Sequence, residues 1–387
     1  MTRKLYDEDA YAIEFDAKVL DCRRIEKDGK ELYEVELDQT LFFPEEGGQS
    51  SDVGVLDNIE VFDVQIRKDC IYHIMEAALD VGEIVHGKID WDHRFDNMQQ
   101  HTGEHIFSGL VHSHYGFDNV GFHLNNQIVT MDFNGVLTSE QIMEIEKEVN
   151  EVIVANIPVQ VTFPSKEELE KLEYRSKIEI EGQVRIVTIP GYDVCACCAP
   201  HVRNTGEIGM LKVTNFQNYK GGVRITMLCG FRALEAFRQK EETVNALMGI
   251  FTTNQDAIVD NVNKLRASNQ TMKNQIATLN QTIMEYKLKE IPEELEDVVL
   301  FEQALDQTAM RNTVNKLTER HSGLCAIFSG DDTNGYQFIV GSKNVDCKEL
   351  AKSMKEQLAS RGGGSSQMIQ GSVSASKQQL EQFFQDR

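Results

Sequence analysis

The stretch His101-Thr-Gly-Glu-His105 places two imidazoles four residues apart in a chain of 387 residues. It lies in the segment Asp92 to Val111, where Met98, His101, His105 and Leu110 recur at helical steps, so we predict a helix there. On one face of a helix, the two imidazole nitrogens can converge on a single metal ion. Taken alone, the pair is equally compatible with unrelated histidines on a helix surface.

A second pair with the same spacing lies further along, in Cys195-Ala-Cys197-Cys198-Ala-Pro-His201. Together the two pairs offer three imidazoles and one thiolate, a donor set suited to tetrahedral zinc in a reducing compartment. Cys195 and Cys198 can compete for the metal, but the four-residue spacing favours Cys197 and leaves its neighbours as packed thiols. The predicted zinc ligands are His101, His105, Cys197 and His201.

The composition excludes two broad classes of protein. Hydrophobic residues make up 41% of the chain, which is too many for a disordered protein. There are 39 Lys and Arg against 62 Asp and Glu, a formal charge of −23. Most of this surface would repel a phosphate backbone, so any contact with nucleic acid must be local.

The sequence also predicts a cytoplasmic protein with no membrane partner. No apolar run approaches the ~18 residues of a membrane span, and the N-terminus lacks the apolar core of a signal peptide. Thiols stay reduced in the cytosol. The eight cysteines are therefore expected to be buried thiols or metal ligands and not disulfides.

Changes in periodicity predict an α+β multidomain fold. Ala17–Cys22, Leu32–Leu37 and Ile59–Ile66 alternate with period two, which favours a small β-barrel. Mixed strands and helices follow, including a charged helix from Thr138 to Ala155. The predicted divisions are a barrel at 1–90, a zinc-binding α+β domain at 91–240, a long helix at 241–292 and an α/β module at 293–387.

The predicted long helix carries a heptad seam. From Thr243 to Lys289 apolar residues recur at spacings of three, four or seven without a proline, and Pro292 ends the pattern. An uninterrupted helix of this length would reach on the order of 70 Å. Such a seam is typical of helix packing, so we interpret it as a dimerisation surface or as an arm holding the last module.

The last module contains a run of glycines, Gly362 to Gly364. No Gly-Lys-Ser/Thr follows, so the run does not predict a phosphate-binding P-loop. We expect it to end the preceding helix.

The paired motifs resemble the editing domain of alanyl-tRNA synthetase and its free-standing relatives, the AlaX-type alanyl-tRNA editing proteins. Further segments agree in order and content with the family's glycine-rich motif, with its later editing blocks and with the signature of its C-terminal DHHA1 module. These are Phe43-Pro-Glu-Glu-Gly-Gly-Gln49 with Asp52 and Gly54, Val120-Gly-Phe-His-Leu124, His201-Val-Arg-Asn-Thr-Gly-Glu-Ile-Gly209, Lys220-Gly-Gly-Val-Arg-Ile225 and Arg361-Gly-Gly-Gly-Ser-Ser-Gln-Met-Ile-Gln-Gly371.

The sequence departs from the family's pattern at one point. Where the family has Gly-Gly-Thr between Cys197 and His201, this chain has Cys198-Ala-Pro, and Pro200 lacks a backbone donor.

The resemblance implies a hydrolase that acts in trans on mischarged alanine tRNA. Its substrate would be the aminoacyl ester of a tRNA, chiefly seryl-tRNA(Ala), with glycyl-tRNA(Ala) as a second candidate. The hydrolysis would depend on zinc. Because the chain opens directly on the predicted barrel, we expect no alanine-activating core. The alternative is a tRNA-binding or dimerising protein whose zinc is structural, since four protein ligands fill a tetrahedral site.

Several other residues carry two interpretations each. Glu104 is a candidate general base or an exposed helical glutamate. Thr102 is a candidate for bonding the serine hydroxyl, or it bonds its own helix backbone. Gly47 and Gly48 allow backbone to approach the aminoacyl group or make turns. Phe122 and His123 are candidates for lining the acyl pocket. Alternatively, they alternate between core and surface positions along a strand.

Basic residues indicate where tRNA would bind. Residues 340–387 hold seven Lys and Arg against five Asp and Glu, in contrast to the acidic remainder, although such a tail is also compatible with solvated surface. The candidate tRNA contacts are Lys212, Lys220 and Arg224 near the editing core and Lys352, Lys355 and Arg361 in the last module. We also predict a homodimer formed by the long helix and the last module.

Overall fold

Period-two alternation builds the first sheet of the protein, because it sends apolar side chains to one face of each strand. The computed structural model describes residues 1–27, 29–176 and 183–387, which form two units, Met1–Val244 and Asn245–Arg387. A short helix, α1, spans Leu5–Glu8. Strands β1 to β8 are Arg3–Lys4, Glu14–Lys27, Lys30–Leu37, Gln39–Thr40, Gly54–Leu56, Ile59–Arg67, Cys70–Met75 and Ile84–Ile89.

Six of these strands close into a ring in the order β2-β3-β7-β6-β5-β8, with β8 paired back to β2. Its interior is filled by apolar residues such as Val35, Leu37 and Val64, all fully buried. The predicted small β-barrel is corrected to an irregular ring, because β5 has only three residues and the register shifts in the β2–β3 and β6–β7 pairs. Such bulges bend the strands locally, and the result is an irregular closed ring.

A buried ion pair joins the ring to the next element, helix α2 (Trp91–Tyr115). Arg94 on α2 and Asp52 on the ring are both fully buried, and Nε of Arg94 lies 3.0 Å from the Asp52 carboxylate. Nη1 of Arg94 also donates to the carbonyl of Ala10, and the backbone N–H of Phe43 donates to Asp52. Because every charge is paired and hydrogen-bonded, α2 has a defined position against the ring.

The predicted helices of the α+β part are confirmed. Helix α2 covers the predicted segment, and α3 (Ser139–Ala155) starts at a capping box formed by Thr138 and Gln141. Helix α2 packs against α3 and against strands of two sheets, whose orders are β14-β15-β10-β9 and β11-β12-β13. A short helix, α4, spans Lys166–Leu169. Strands β9 to β15 are Asn119–Leu124, Val129–Phe133, Gln160–Thr162, Ile186–Ile189, Asp193–Ala196, Leu211–Tyr219 and Gly222–Cys229.

The predicted single long helix is wrong, because it is interrupted. Helix α5 spans Gly230–Phe251 and α6 spans Ile258–Glu290. Between them Thr252 adopts a left-handed backbone with φ of 49°, and the Asn254 side chain accepts a hydrogen bond from the backbone N–H of Ala257. Both features favour a new start of helix, although the apolar spacing continues across the break. None of the described helices combines the length and apolarity needed to cross a membrane.

The second unit ends in a five-stranded sheet with strand order β16-β17-β18-β20-β19. Its first strand, β16, pairs in parallel with β17. The predicted four-part division of the chain stays a prediction. The strands β16 to β20 are Val298–Glu302, Cys325–Asp331, Gly335–Gly341, Arg361–Gly364 and Met368–Val373, and the helices α7 to α9 are Gln307–Arg320, Cys347–Leu358 and Lys377–Gln385.

The glycine run does not end a helix, which corrects the prediction. Helix α8 ends earlier, at a left-handed Ala359. Gly362 and Gly364 instead lie in strand β19, paired antiparallel with β20. A Cβ on Gly362 would lie 2.2 Å from the carbonyl oxygen of Gln370. The close approach of the two strands therefore requires glycine at this position.

Candidate metal centre

The two sequence pairs converge on one cluster. Successive turns of α2 carry His101 and His105, while the chain leaving β13 carries Cys197 and His201. Their ligand atoms all lie within 4.8 Å of one another. The Sγ atom of Cys197 is 3.5 Å from Nε2 of His101 and 3.4 Å from Nε2 of His201. The three imidazoles are at most 4% exposed.

Each imidazole is held at its Nδ1 atom by a different partner. Nδ1 of His101 lies 2.7 Å from Oε1 of Gln49. Nδ1 of His105 lies 2.9 Å from Oδ2 of Asp193, and Nδ1 of His201 lies 3.0 Å from Oγ1 of Thr102. Such partners set the tautomer and leave each Nε2 lone pair available to a metal.

The donor set and its spacing fit a metal ion. Zinc bonds of ~2.0–2.1 Å to nitrogen and ~2.3 Å to sulfur place neighbouring tetrahedral ligand atoms roughly 3.3–3.8 Å apart. Both separations from Sγ of Cys197 fall in this range. These two separations therefore suit one metal ion.

The charge state of the cluster also suits a metal. Burial raises the pKa of the Cys197 thiol, but the charges of the three histidines overcome burial and hold this pKa well below its ordinary value. Burial, followed by the charge of His105, lowers the pKa of His201 to about 3. Burial opposes a proton on His105, yet Cys195, Cys197 and Asp193 raise its pKa well above the ordinary value. A metal ion would take the place of that proton.

Glu104 is buried, so the expectation of an exposed helical glutamate is wrong. It is only 1% exposed. Its Oε1 atom accepts hydrogen bonds from Ser108 at 2.7 Å and from Asn119 at 2.5 Å. Its Oε2 atom lies 3.9 Å from Nε2 of His105. The protein thus holds the Glu104 carboxylate next to the cluster.

Thr102 has no hydrogen-bonding capacity left for a ligand. Its hydroxyl donates to the carbonyl of Met98 at 2.7 Å and accepts from the backbone N–H of Val202 at 3.2 Å. Nδ1 of His201 uses the second lone pair. This arrangement favours the alternative interpretation, in which the threonine bonds its own helix backbone.

Residues of the glycine-rich motif and of β9 border the cluster. The ring of Phe122 is centred 4.8 Å from that of His101, whereas His123 is exposed on the other face of the strand and bonds Asn125. A Cβ on Gly48 would lie 2.3 Å from the carbonyl oxygen of Phe122, and one on Gly47 would lie 3.4 Å from Sγ of Cys198. The two glycines therefore let the motif lie directly against β9 and the cysteine loop.

The other two cysteines are placed differently from Cys197. Cys195 is buried in β13 close to His105 and Asp193, with which it forms a second, overlapping group of possible ligands. Burial raises the pKa of Cys195 to about 11, which disfavours the thiolate that a metal requires. Burial likewise raises the pKa of Cys198, which faces Glu46.

The predicted tRNA-contact residues differ in whether they are already paired with acids. Lys212 forms an ion pair with Glu146 at 2.5 Å, and Arg224 forms a bidentate pair with Asp132. Lys220 is exposed in the turn after β14. The three candidates of the second unit are exposed on α8 and β19, namely Lys352, Lys355 and Arg361.

A cleft of about 1020 Å³ lies behind the cluster. Its described lining includes Asn119, Arg175, Asp193 and Cys195, but none of the four cluster residues. It therefore reaches the residues that support the cluster and not the cluster itself.

Sequence reasoning missed Gln49 and Asp193 as partners of the cluster. Gln49 ends the quoted glycine-rich motif, and Asp193 lies two residues before Cys195. A polar residue beside each motif was the only signal. Since both contacts join segments far apart in the chain, spacing alone could not reveal them.

Family models match two parts of this chain. Residues 184–226 match the second additional domain of threonyl and alanyl tRNA synthetases. Residues 6–93 match the class II (A) tRNA synthetases. The first match contains Cys197 and His201, and the second contains the strand ring and Gln49.

Curated relatives extend the likeness over the whole chain. Alanyl-tRNA editing protein AlaX-L of Pyrococcus horikoshii is 28% identical over 98% of this chain and 96% of its own length. Alanyl-tRNA editing protein Aarsd1 of Danio rerio is 27% identical over 95% of this chain and 93% of its own. Alanine–tRNA ligase of Ignicoccus hospitalis is 28% identical over 94% of this chain but 40% of its own. The chain is therefore similar over nearly its whole length to alanyl-tRNA editing proteins of the AlaX and Aarsd1 type.

Proposed function

We propose that this protein is a zinc-dependent hydrolase that removes the wrong amino acid from mischarged alanine tRNA. The observation that carries the proposal is the buried cluster of His101, His105, Cys197 and His201, whose spacing suits zinc. Relatives that match the chain over nearly its full length are named as alanyl-tRNA editing proteins. The substrate is chiefly seryl-tRNA(Ala), and glycyl-tRNA(Ala) is a second substrate to be tested.

The reaction is hydrolysis of the ester between the amino acid and the terminal ribose. Water adds to the ester carbonyl carbon, the bond to the ribose oxygen breaks, and the proton from water ends on that oxygen. When bound, zinc supplies a Lewis acid for the carbonyl or lowers the pKa of a water molecule. Gln49, Asp193 and Thr102 orient the imidazoles.

Glu104 is the proposed general base. Its Oε1 atom accepts hydrogen bonds from Ser108 and Asn119, and its Oε2 atom lies 3.9 Å from Nε2 of His105, next to the cluster. A carboxylate held at this point can accept a proton from a water molecule within hydrogen-bond reach. Phe122, Gly47 and Gly48 border the place where the acyl group would lie.

The proposed partner is tRNA, held by two sets of basic residues. The exposed Lys220 is the best placed in the first unit, because Lys212 and Arg224 are already paired with acids. In the second unit, residues 293–387 are proposed to form the DHHA1-like module, with Lys352, Lys355 and Arg361 as phosphate contacts. A tRNA bound in this way would show salt-dependent affinity.

We also propose that helix α6 forms a homodimer with a second copy. Apolar residues of the heptad seam lie exposed on it, and such a stripe favours coiled-coil packing. They include Val259, Leu265, Met272, Ile276, Leu279 and Ile283. Light scattering should give twice the chain mass, and replacing Ile276 and Leu279 by Lys should restore the mass of one chain.

A deacylation assay tests the proposed function. The metal-loaded protein should release serine from seryl-tRNA(Ala) faster than alanine from alanyl-tRNA(Ala), and glycyl-tRNA(Ala) is measured alongside. Removal of the metal by a chelator should abolish release, and added zinc should restore it. A metal-loaded protein that hydrolyses none of the three would contradict the proposal.

A second candidate function is a non-catalytic tRNA-binding protein with a structural zinc. The observation in its favour is the number of protein ligands, because four fill a tetrahedral metal site and leave no open position. In that case chelation would unfold the first unit, and the metal-loaded protein would bind tRNA without hydrolysing it.

A further inference from the structure

The side chain of Gln49 uses only half of its hydrogen-bonding capacity. Its Oε1 atom lies 2.7 Å from Nδ1 of His101. Its Nε2 atom is buried, and within the described residues it has no hydrogen-bond partner. Gln49 itself is fully buried. A buried amide that donates to nothing loses the hydrogen bonds it makes in water, so the position requires an explanation.

The orientation of the Gln49 amide follows from its neighbour. Nε2 of His101 faces Sγ of Cys197 at 3.5 Å, as a metal ligand would, and must keep its lone pair. The ring proton is therefore on Nδ1, which needs an acceptor. Only the oxygen of the Gln49 side chain can accept it. The amide nitrogen is then directed away from Nδ1 of His101.

The backbone around Gln49 is held in place. Gly48 accepts a hydrogen bond from the backbone N–H of Leu124 at 2.7 Å, and the N–H of Ser50 donates to the carbonyl of Leu124 at 2.9 Å. Gln49 and Glu46 also exchange backbone hydrogen bonds. A side chain on Gly48 would collide with the carbonyl of Phe122. The Gln49 amide is therefore preorganised and does not depend on a ligand for its position.

Exposed backbone lies directly beside Gln49. Gly47 and Gly48 are exposed, and Phe122, Cys197 and Cys198 are half-buried, whereas the histidines are buried. An acyl group that enters from this side passes Gly47 and Gly48 and reaches Gln49 next. A carbonyl oxygen is a suitable acceptor for an N–H group there.

We propose that Nε2 of Gln49 donates a hydrogen bond to the carbonyl oxygen of the bound aminoacyl group, so that Gln49 is a catalytic residue as well as a support for His101. This proposal rests on the proposed function. As water adds, negative charge develops on that oxygen, and a fixed donor stabilises it. Removing such a donor lowers kcat by roughly 10²–10³-fold in other hydrolases.

Two substitutions separate the two tasks of Gln49. Gln49→Glu keeps an oxygen for Nδ1 of His101 but loses the N–H donor. Gln49→Met loses both and keeps the length of the side chain. The matched control, Gln127→Glu, adds the same negative charge at an exposed residue of the loop between β9 and β10.

Binding of a hydrolysis-resistant analogue gives the decisive measurement. The probe is serine in amide linkage to 3′-amino-3′-deoxyadenosine, measured by calorimetry on zinc-loaded proteins, with zinc affinity measured by chelator competition. The parent and Gln127→Glu should bind the analogue equally. Gln49→Glu should bind it at least tenfold more weakly while retaining zinc, and Gln49→Met should lose affinity for both.

The outcomes are distinguishable. If Gln49→Glu binds the analogue as the parent does, or if the zinc-loaded parent does not bind it, the proposal is overturned and a water molecule is the partner of Nε2. Deacylation by the parent is measured separately. Its absence would refute the proposed function, whereas analogue binding would still decide whether Gln49 contacts an acyl group.

Discussion

Asp193 binds His105 and Arg175 with its two carboxylate oxygens, and its Oδ2 atom lies 2.9 Å from Nδ1 of His105. The Arg175 guanidinium bonds the other oxygen at 2.7 Å. Burial opposes the charged carboxylate, but His105 and Arg175 outweigh it and hold the pKa of Asp193 below its ordinary value. An aspartate fixed in this way keeps the His105 imidazole in one orientation.

Replacing Asp193 should therefore weaken metal binding. We expect Asp193→Asn to lower zinc affinity by roughly 10–100-fold, because the neutral amide no longer strengthens His105 as a ligand. Chelator competition measures the change. Asp118→Asn is the control, since Asp118 makes the same contact with Nδ1 of His112 at 2.9 Å on the surface. Equal zinc affinity in the parent and both variants would show that Asp193 does not strengthen metal binding.

Replacing Cys197 should remove the metal. We expect Cys197→Ser to lower the zinc content well below one ion per chain, because this thiol lies within 3.5 Å of two histidine Nε2 atoms. Cys195→Ser and Cys198→Ser are matched controls from the same loop and should keep zinc. Metal analysis of the purified proteins decides the assignment. A full complement of zinc in Cys197→Ser would show that another residue is the fourth ligand.

Replacing Glu104 should slow catalysis without loss of metal. Glu104→Gln keeps an oxygen for Ser108 and Asn119 but cannot accept a proton, so kcat on seryl-tRNA(Ala) should fall by roughly 10²–10⁴-fold. Zinc content and KM should stay close to those of the parent. Glu148→Gln is the control, because Glu148 lies 2.8 Å from Nε2 of the exposed His114. Unchanged kcat in Glu104→Gln would assign proton transfer to another group.

Acid should destabilise the first unit through His73. This residue is fully buried in the ring between Thr40 and the carbonyl of Val35, and burial lowers its pKa from 6.5 to about 4. Between these values the unfolded chain binds the proton and the folded chain does not. Stability should therefore fall as pH drops from about 6.5 to 4, by an order of 3 kcal/mol in full.

Urea unfolding, followed through the single tryptophan Trp91, can measure this effect. The free energies of unfolding of the parent and His73→Gln are compared at pH 7, 6 and 5. The contribution of titratable groups common to both proteins cancels in the difference. The loss of stability on acidification should be smaller in the variant, because an amide does not titrate. Parallel curves for the two proteins would show that His73 is not responsible.

The cluster residues could be predicted because helical spacing is a local property. His101 and His105 share a helix face, and the second pair repeats their spacing. The Nδ1 partners could not be predicted, since the contact of Gln49 with His101 depends on how the ring packs against α2. The burial of Glu104 depends likewise on Asn119, which lies beyond the end of that helix.

The strands could be predicted from alternation, but the interruption of the long helix could not. Phe251 and Ile258 keep a seven-residue spacing, so the apolar pattern fits both a continuous helix and two helices. Only the left-handed Thr252 and the cap formed by Asn254 distinguish the two. In the same way, the sequence around Gly362 is compatible with the end of a helix. Its close contact with Gln370 on the neighbouring strand depends on the fold and could not be predicted.

The pairing of β2 with β8 places the two ends of the ring beside each other, with Glu14 opposite Lys88. A segment that enters and leaves at neighbouring points can be grafted into a loop of an unrelated host without forcing the host's ends apart. The ring thus has the geometry of a domain that can be inserted into another protein. Inserting it into a longer polypeptide, in nature or by protein engineering, would need only two short linkers.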